Sequence, residues 1–189
     1  MRSLKEVLFY IRADLFRYRR NGLYGFLGGY WRNPGFRYTF WLRLASFFLH
    51  RPLLRLCFLI AELQHRHFGI KFGICIPCDT PIGPGLYIGH HGGIVVNDEA
   101  VIGANCNLSQ GVTIGMSVRG EREGCPVIGD RVYIGPGAVI IGKVCVGSDV
   151  AIGANCVVTK DVPCSGVVAG VPGEVISFKG SKGYINNTL

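Results

Sequence analysis

Aliphatic side chains recur every six residues through the second half of this 189-residue chain. Counting from Ile128, they stand at Ile134, Ile140, Val146, Ile152 and Val158, with glycine directly after most of them, at Gly129, Gly135, Gly147 and Gly153. Four places after each aliphatic comes a small or β-branched residue: Val132, Ala138, Val144, Val150, Cys156 and Val162. A period of six fits neither the 3.6 of a helix nor the 2 of a strand, and a glycine-rich β-sandwich would not hold the phase. A solenoid of short strands and turns does. Each unit buries one aliphatic corner and turns at its glycine.

The same spacing runs from Ile70 through Ile76, Ile82, Ile88 and Ile94, and resumes at Ile102, Leu108 and Ile114 after a two-residue slip read at 97–101. It lapses over 116–126 (MSVRGEREGCP), a polar segment read as a loop thrown out from a coil, where binding residues tend to sit. The repeats are expected to end at 160–163, before VVAGVP and a tail frayed from Gly180.

Ahead of the repeats the pattern turns helical. Over 1–20, Leu4, Val7, Leu8, Ile11, Leu15 and Phe16 keep helical spacing, and Asn21-Gly22 stops it. Gly25, Gly28, Gly29 and Pro34 then predict a loop carrying Tyr24, Phe26, Tyr30 and Trp31, before two apolar helices at about 38–50 and 53–67 parted by Pro52. Arg43, Arg51 and Arg55 keep every apolar run below the ~20 residues of a membrane span. The chain therefore divides into a basic, aromatic-rich helical region (1–69), a solenoid (70–175) carrying the 116–126 loop, and a tail (176–189).

Charge sharpens that division. Residues 1–72 hold 13 Lys and Arg against 3 acids, and 73–189 hold 7 against 9, so the +8 of the whole chain is +10 followed by −2. A basic, aromatic helical surface suits an anionic membrane face as well as it suits arginines solvated on a packed subdomain. No nucleic-acid-binding motif accompanies it. Hydrophobic content of 49% with 17% charge excludes disorder. Eight cysteines without a signal peptide point to a reducing cytoplasm. Cys75 and Cys78 form a lone CxxC with no second pair to complete a zinc site, so no metal is expected. Cys106 and Cys156 read as small buried hydrophobes.

Within the coils, His90 and His91 occupy a turn where the repeat asks for nothing of their kind, and Gly92 and Gly93 follow them. Glycine lets a ligand approach the backbone, and histidine exchanges a proton near neutral pH. This is the candidate catalytic turn.

The run IGPGLYIGHHGGIVVNDEAVIG, then QGVTIG with its loop, the hexapeptides, and VVTKDVP with AGVPGEVI resemble the left-handed β-helix acyltransferases, most closely the serine acetyltransferase type, over about 70–175. The resemblance implies a mainly β fold, a left-handed parallel β-helix preceded by a small α-helical region, assembled as a homotrimer with acetyl-CoA between subunits. It implies that His90 is the general base for direct attack of an acceptor hydroxyl on the thioester, with His91 orienting His90 or the acceptor. Lys160 matches a lysine near the nucleotide phosphate, and Gly135, Gly153 and Gly170 are candidates to lie against the pantetheine arm. Cys75, Gly92 and Cys125 are candidate acceptor contacts.

Two departures set the acceptor expectation. The family's aspartates fall at Cys75 and Gly89, and its loop histidine falls at Cys125. A thiol neither pairs with a carboxylate as an imidazolium does nor orients an ammonium as a carboxylate does. The expectation is therefore an acetyl-CoA-dependent O-acetyltransferase acting on a sugar of a surface polysaccharide or its precursor, cytoplasmic and held peripherally at the inner membrane face through 1–69. Serine O-acetylation for cysteine synthesis is the first alternative, and a non-catalytic solenoid, either a scaffold or a carbonic-anhydrase-like metal protein, the second. A covalent relay through Cys125 would need an activated thiolate and is not preferred.

Overall fold

The computed structural model describes residues 3–188. Four α-helices come first: α1 (Leu4–Phe16), α2 (Gly22–Arg32), α3 (Pro34–Phe48) and α4 (Arg55–Phe72), the last entered through a 3₁₀ turn at Pro52–Leu54. Short strands then wind into a three-faced parallel β-helix. The first face stacks β1 (Ile74–Cys75), β3 (Ile94–Val96), β6 (Thr113–Gly115), β9 (Val139–Ile141) and β12 (Val157–Val158). The second stacks β4 (Val101–Ile102), β7 (Val127–Ile128) and β10 (Cys145–Val146). The third stacks β2 (Tyr87–Ile88), β5 (Asn107–Leu108), β8 (Tyr133–Ile134), β11 (Ala151–Ile152) and β13 (Val167–Ala169), with β14 (Glu174–Ser177) antiparallel on β13.

Parallel register sorts the aliphatics into three columns inside the prism. Ile76, Val96, Ile114, Ile140 and Val158 line the first face; Ile82, Ile102, Ile128, Val146 and Val162 the second; Ile88, Leu108, Ile134, Ile152 and Val168 the third. All fifteen are buried. Deleting methyl groups from any column would cost transfer energy plus a cavity, about 2–5 kcal/mol for a truncation to alanine.

The columns correct the phase read from spacing. Val96, and not Ile94, continues the first column, so the extra two residues lie between Ile88 and Val96 and not at 97–101. Val162 is a column residue in register with Val146, four places after Val158, so a fifth coil continues to Val168 where the repeats were expected to stop. Ile70 belongs to α4 and is exposed. Aliphatic spacing alone cannot separate these alternatives, because several neighbouring isoleucines and valines are all buried.

The predicted loop over 22–34 is mostly helix. Gly29 there serves close packing, since a Cβ on it would stand 2.6 Å from Leu15 Cδ1, and Gly35, at the start of α3, leaves no room for a Cβ against the carbonyl oxygen of Ile88. Two arginines read as solvated or membrane-facing are buried instead. Arg43 pairs with Asp14 (Nε to Oδ2, 2.9 Å) and donates to the carbonyls of Ile82 and Gly83, both at 2.7 Å. Asp14 also accepts the amides of Gly85 and Leu86 at 2.8 Å. Arg17 donates to the carbonyls of Gly85 and Asn105 and to Asn107 Oδ1. These groups satisfy coil turns at the top of the prism, and removing one partner of such a buried pair costs about 3–5 kcal/mol. The tail is ordered where fraying was expected. Ser181 is buried and donates to the Arg131 carbonyl at 2.7 Å, and Tyr184 stacks on Tyr133 at 4.3 Å, covering the third face. Leu189 lies outside the described residues.

Candidate active site

One edge of the prism, where the third face turns into the first, is built from backbone with almost no side chain. Gly93, Gly111, Gly137 and Asn155 stack there with φ of 65°, 72°, 68° and 55°. Positive φ at a stacked corner favours glycine, and a Cβ on Gly111 would come within 3.3 Å of the Gly137 backbone. The carbonyl of Gly92 accepts from Gly111 N as that of Gln110 accepts from Gly137 N and that of Pro136 from Asn155 N. Gly92 is thus equivalent to Gln110 and Pro136, and His90 and His91 are two residues more than the coil needs. They form a bulge on this edge.

Both histidines are exposed. His91 packs edge-on against Phe72 at 5.2 Å, and His90 has no hydrogen-bond partner among the described residues. The C-terminal end of α4 supports the bulge from behind: Gly73, with φ 63°, caps the helix, and its carbonyl accepts from Ile94 N at 3.1 Å. A Cβ on Gly73 would sit 3.2 Å from the Gly92 backbone. Phe72 and Gly73 were not singled out from the sequence. The signal that would have found the bulge is the eight-residue gap between Ile88 and Val96 where six is the rule.

The other candidates divide between this edge and the next. Gly92 (φ 114°) closes the bulge, with open space where a Cβ would be. Gly135, Gly153 and Gly170 lie along the same edge, one per coil. Gly135 is fully engaged by coil packing, since a Cβ there would meet Ile152 O at 2.8 Å, and Gly153 packs on the next coil likewise, with Val168 O at 3.2 Å. Gly170 is freer, with only Pro172 O at 3.4 Å and a φ of 94°. Cys75 points outward on the first face beside Val95, in an open groove of about 830 Å³ that α4 shares. Cys125 and Lys160 lie on the edge where the first face turns into the second, a face's width from the histidines. Within one chain, the structure does not bring Cys125 to His90.

The 116–126 loop folds down along that second edge. Ser117 and Gly124 form an antiparallel bridge, and Arg122 reaches across to Asp161 at 3.0 Å. Cys125 Sγ donates to Asn97 Oδ1 at 3.1 Å. Desolvation, with Glu99 and Asp98 nearby, pushes the Cys125 thiol up from its ordinary pKa, so it is not an activated thiolate. Lys160 stands 3.4 Å from Glu174, both well exposed. No group of three His, Cys, Asp or Glu among the described residues is arranged to hold a metal ion.

Residues 125–160 match the family model for the bacterial transferase hexapeptide (six repeats). The chain is 40% identical over 145 residues to the serine acetyltransferase of Mycobacterium tuberculosis, covering 76% of this chain and 61% of that protein. It is 35% identical over 144 residues to the serine acetyltransferase of Helicobacter pylori, covering 82% of it. The chain belongs to the serine acetyltransferase family. Its β-helix is accordingly the left-handed kind. Among solved structures, the serine acetyltransferase of Neisseria gonorrhoeae in complex with serine superposes with a TM-score of 0.76 at 30% identity, over 93% of this chain and 71% of that one. The chain spans about three fifths of the length of the first curated relatives it matches.

Membership of the serine acetyltransferase family overturns the expectation of a polysaccharide sugar as acceptor. Curated serine acetyltransferases of several bacteria match across the histidine edge and the loop alike. The sugar reading rested on Cys75, Gly89 and Cys125, and missing contacts do not specify another acceptor. Its second support, the +10 segment, is partly spent on packing, because Arg17 and Arg43 are buried against the coils.

Proposed function

We propose that the chain transfers the acetyl group of acetyl-CoA to the hydroxyl of serine, with His90 as general base. The observation that carries this is the two-residue histidine bulge on an otherwise bare backbone edge, in a chain of the serine acetyltransferase family. His90 takes the proton from the serine Oγ as that oxygen bonds to the thioester carbonyl carbon; the tetrahedral intermediate then expels coenzyme A thiolate, which takes the proton back from the imidazolium. Gly89 supplies no carboxylate to steady the imidazolium. The carbonyl-bearing end of α4 abuts the bulge and offers partial negative charge in its place. His91, packed on Phe72, fixes the course of the bulge and so the position of His90. Cys75 and Gly92 contact the acceptor in this reading, and Cys125, on the other edge, does so only from a neighbouring copy.

The pantetheine arm lies along the histidine edge, with Gly170 as its freest backbone position and Gly135 and Gly153 keeping the coils flat beneath it. Lys160, on the other edge, reaches a nucleotide phosphate from a neighbouring copy by leaving Glu174, an exposed pair of little worth. A homotrimer fits the surfaces. The third face is covered by the tail and by α1, whereas the first and second present Val95, Ile141, Val101 and Val127 to solvent. Two different bare faces are what a closed head-to-tail ring requires.

No helix among the described residues is long and apolar enough to cross a membrane. Peripheral contact with an anionic membrane at its cytoplasmic face is supported by α4, whose Leu56, Ile60, Leu63 and Ile70 form an exposed stripe, and by the absence of any exposed acid among the described residues of 1–72.

Release of free thiol from acetyl-CoA tests the activity. Serine should support turnover with kcat/KM of ~10⁴ M⁻¹s⁻¹ or more, and His90→Ala should lower kcat about 10²–10⁴-fold while the fold is kept. Equal thiol release with and without serine would remove the acceptor assignment.

A further inference from the structure

Outside the histidine edge, a cavity of about 320 Å³ lies over the third face near the junction of α1 and α2. Arg17, Arg19, Arg20, Asn33, Tyr87 and Tyr184 line it. No acidic side chain does. Arg17 is 5% exposed, and its Nε has no hydrogen-bond partner; its other guanidinium nitrogens donate only to neutral oxygens, because the nearby Asp14 is taken by Arg43. The amide nitrogen of Asn33 is likewise buried without an acceptor. Both residues line the cavity, and each keeps a buried donor unpaired among the described residues, so neither has its hydrogen bonding satisfied by the protein.

Two further arginines stand beside the cavity, Arg19 exposed and Arg20 partly buried. Arg19 closes the turn after α1 with φ 57°, a conformation that a bulky residue rarely adopts. The side chain of Arg20 runs over α2, where a Cβ on Gly28 would stand 3.0 Å from its Nη1 and one on Gly29 3.4 Å from its Cδ. The glycines thus make a track for the Arg20 stem. No ion pair is formed by Arg19 or Arg20 among the described residues. Three guanidinium groups with no carboxylate among them repel one another, a cost that an oxyanion relieves.

We infer that this cavity is a binding site for a phosphate or pyrophosphate group, separate from the acetyl-transfer site. Donors without acceptors, three cations and flat tyrosine walls suit a doubly charged oxyanion on a small organic body better than a single carboxylate. The group can come from a soluble phosphate ester or from a lipid headgroup.

Calorimetric titration of the full chain with inorganic pyrophosphate at fixed ionic strength tests the site. One pyrophosphate should bind per chain, and the double variant Arg19→Gln with Arg20→Gln should weaken it about tenfold or more. Asn33→Asp, a near-isosteric change that puts a carboxylate at the cavity, should weaken it as well, and Lys160→Gln should not. Loss of binding in Lys160→Gln with retention in the arginine pair would place the anion at the coenzyme groove and overturn the inference. So would equal affinity in all variants. Phosphatidylcholine vesicles containing phosphatidic acid separate the sources. Release of the protein from them by pyrophosphate, in the wild type but not in the arginine pair, supports the site and assigns it to a headgroup. Pyrophosphate binding without such release supports it and assigns it to a soluble ester.

Discussion

The histidine pair shows how much one local insertion can carry. A hexapeptide coil passes from Ile134 to Ile140 in six residues, and the equivalent passage from Ile88 to Val96 takes eight. The surplus is His90-His91, so the side chains most suited to proton transfer sit where the core makes no demand on them. Cys125 is the opposite case. Its position matches a family histidine, but its thiol donates to Asn97 and is pushed up by desolvation and by Glu99 and Asp98. It should stay protonated at neutral pH and carry no acetyl group. Iodoacetamide mapping is expected to label Cys125 slowly at pH 7 and faster only above the ordinary thiol range. Trapping of an acetyl thioester on Cys125 during turnover would instead establish a covalent relay, and Cys125→Ser would then lose activity wholesale rather than change KM for the acceptor.

Elements were legible in the sequence to different depths. The columns were readable because isoleucine and valine repeat in phase; their register was not, because Ile94 and Val96 are both buried and only pairing to Thr113 and Ile114 separates them. α2 was missed because glycine has poor helix propensity, whereas here Gly25, Gly28 and Gly29 admit Arg20 and Leu15 to close contact. The place of Cys125 on a different edge from His90 was out of reach as well, since motif order says nothing about which corner each motif occupies. The seam between α4 and the first coil was equally hidden. There Tyr38 hydroxyl bridges the backbone of Ile76, and His65 Nε2 meets it at 2.9 Å. Burial lowers the His65 pKa, partly opposed by Glu62, whose Oε2 is 3.6 Å from His65 Nδ1; Arg66 acts in the same sense as burial. The unfolded chain therefore takes up this proton first, near its ordinary pKa of about 6.5, and stability falls as pH drops from there toward the lower folded value. Above about pH 7 the residue contributes no slope. Urea midpoints measured from pH 7.5 to 5.0 should fall more steeply for the wild type than for His65→Gln, which retains a donor for Tyr38. Parallel curves would assign the acid sensitivity to other groups.

In the whole molecule, three surfaces remain to be accounted for: two bare faces of the prism and the outer stripe of α4. Val95 is 46% exposed and Val127 48% exposed, each flanked by further aliphatics along its face, and the third face carries its own cover of α1 and tail. A ring built from the first face of one copy and the second of the next leaves neither bare, whereas a two-fold dimer would use one face and leave the other wet. Light scattering should therefore give the mass of three chains. Val95→Glu or Val127→Glu alone should break the ring, because each interface needs both faces, and the monomer released should lose activity although His90 is untouched, since the proposed trimer would set the coenzyme groove between copies. The stripe of α4 is a separate matter. Leu56→Glu with Leu63→Glu should leave the trimer mass and acetyl transfer intact while abolishing co-sedimentation with anionic vesicles. This pair is a cleaner probe than deletion of the helical region, which would also remove Asp14, Arg17 and Arg43 from the coil turns they satisfy. If the double variant instead halves a particle of six chains to three, the stripe joins trimers and the membrane reading falls; if vesicle binding is unchanged and the mass stays at three chains, the basic surface binds nothing through α4.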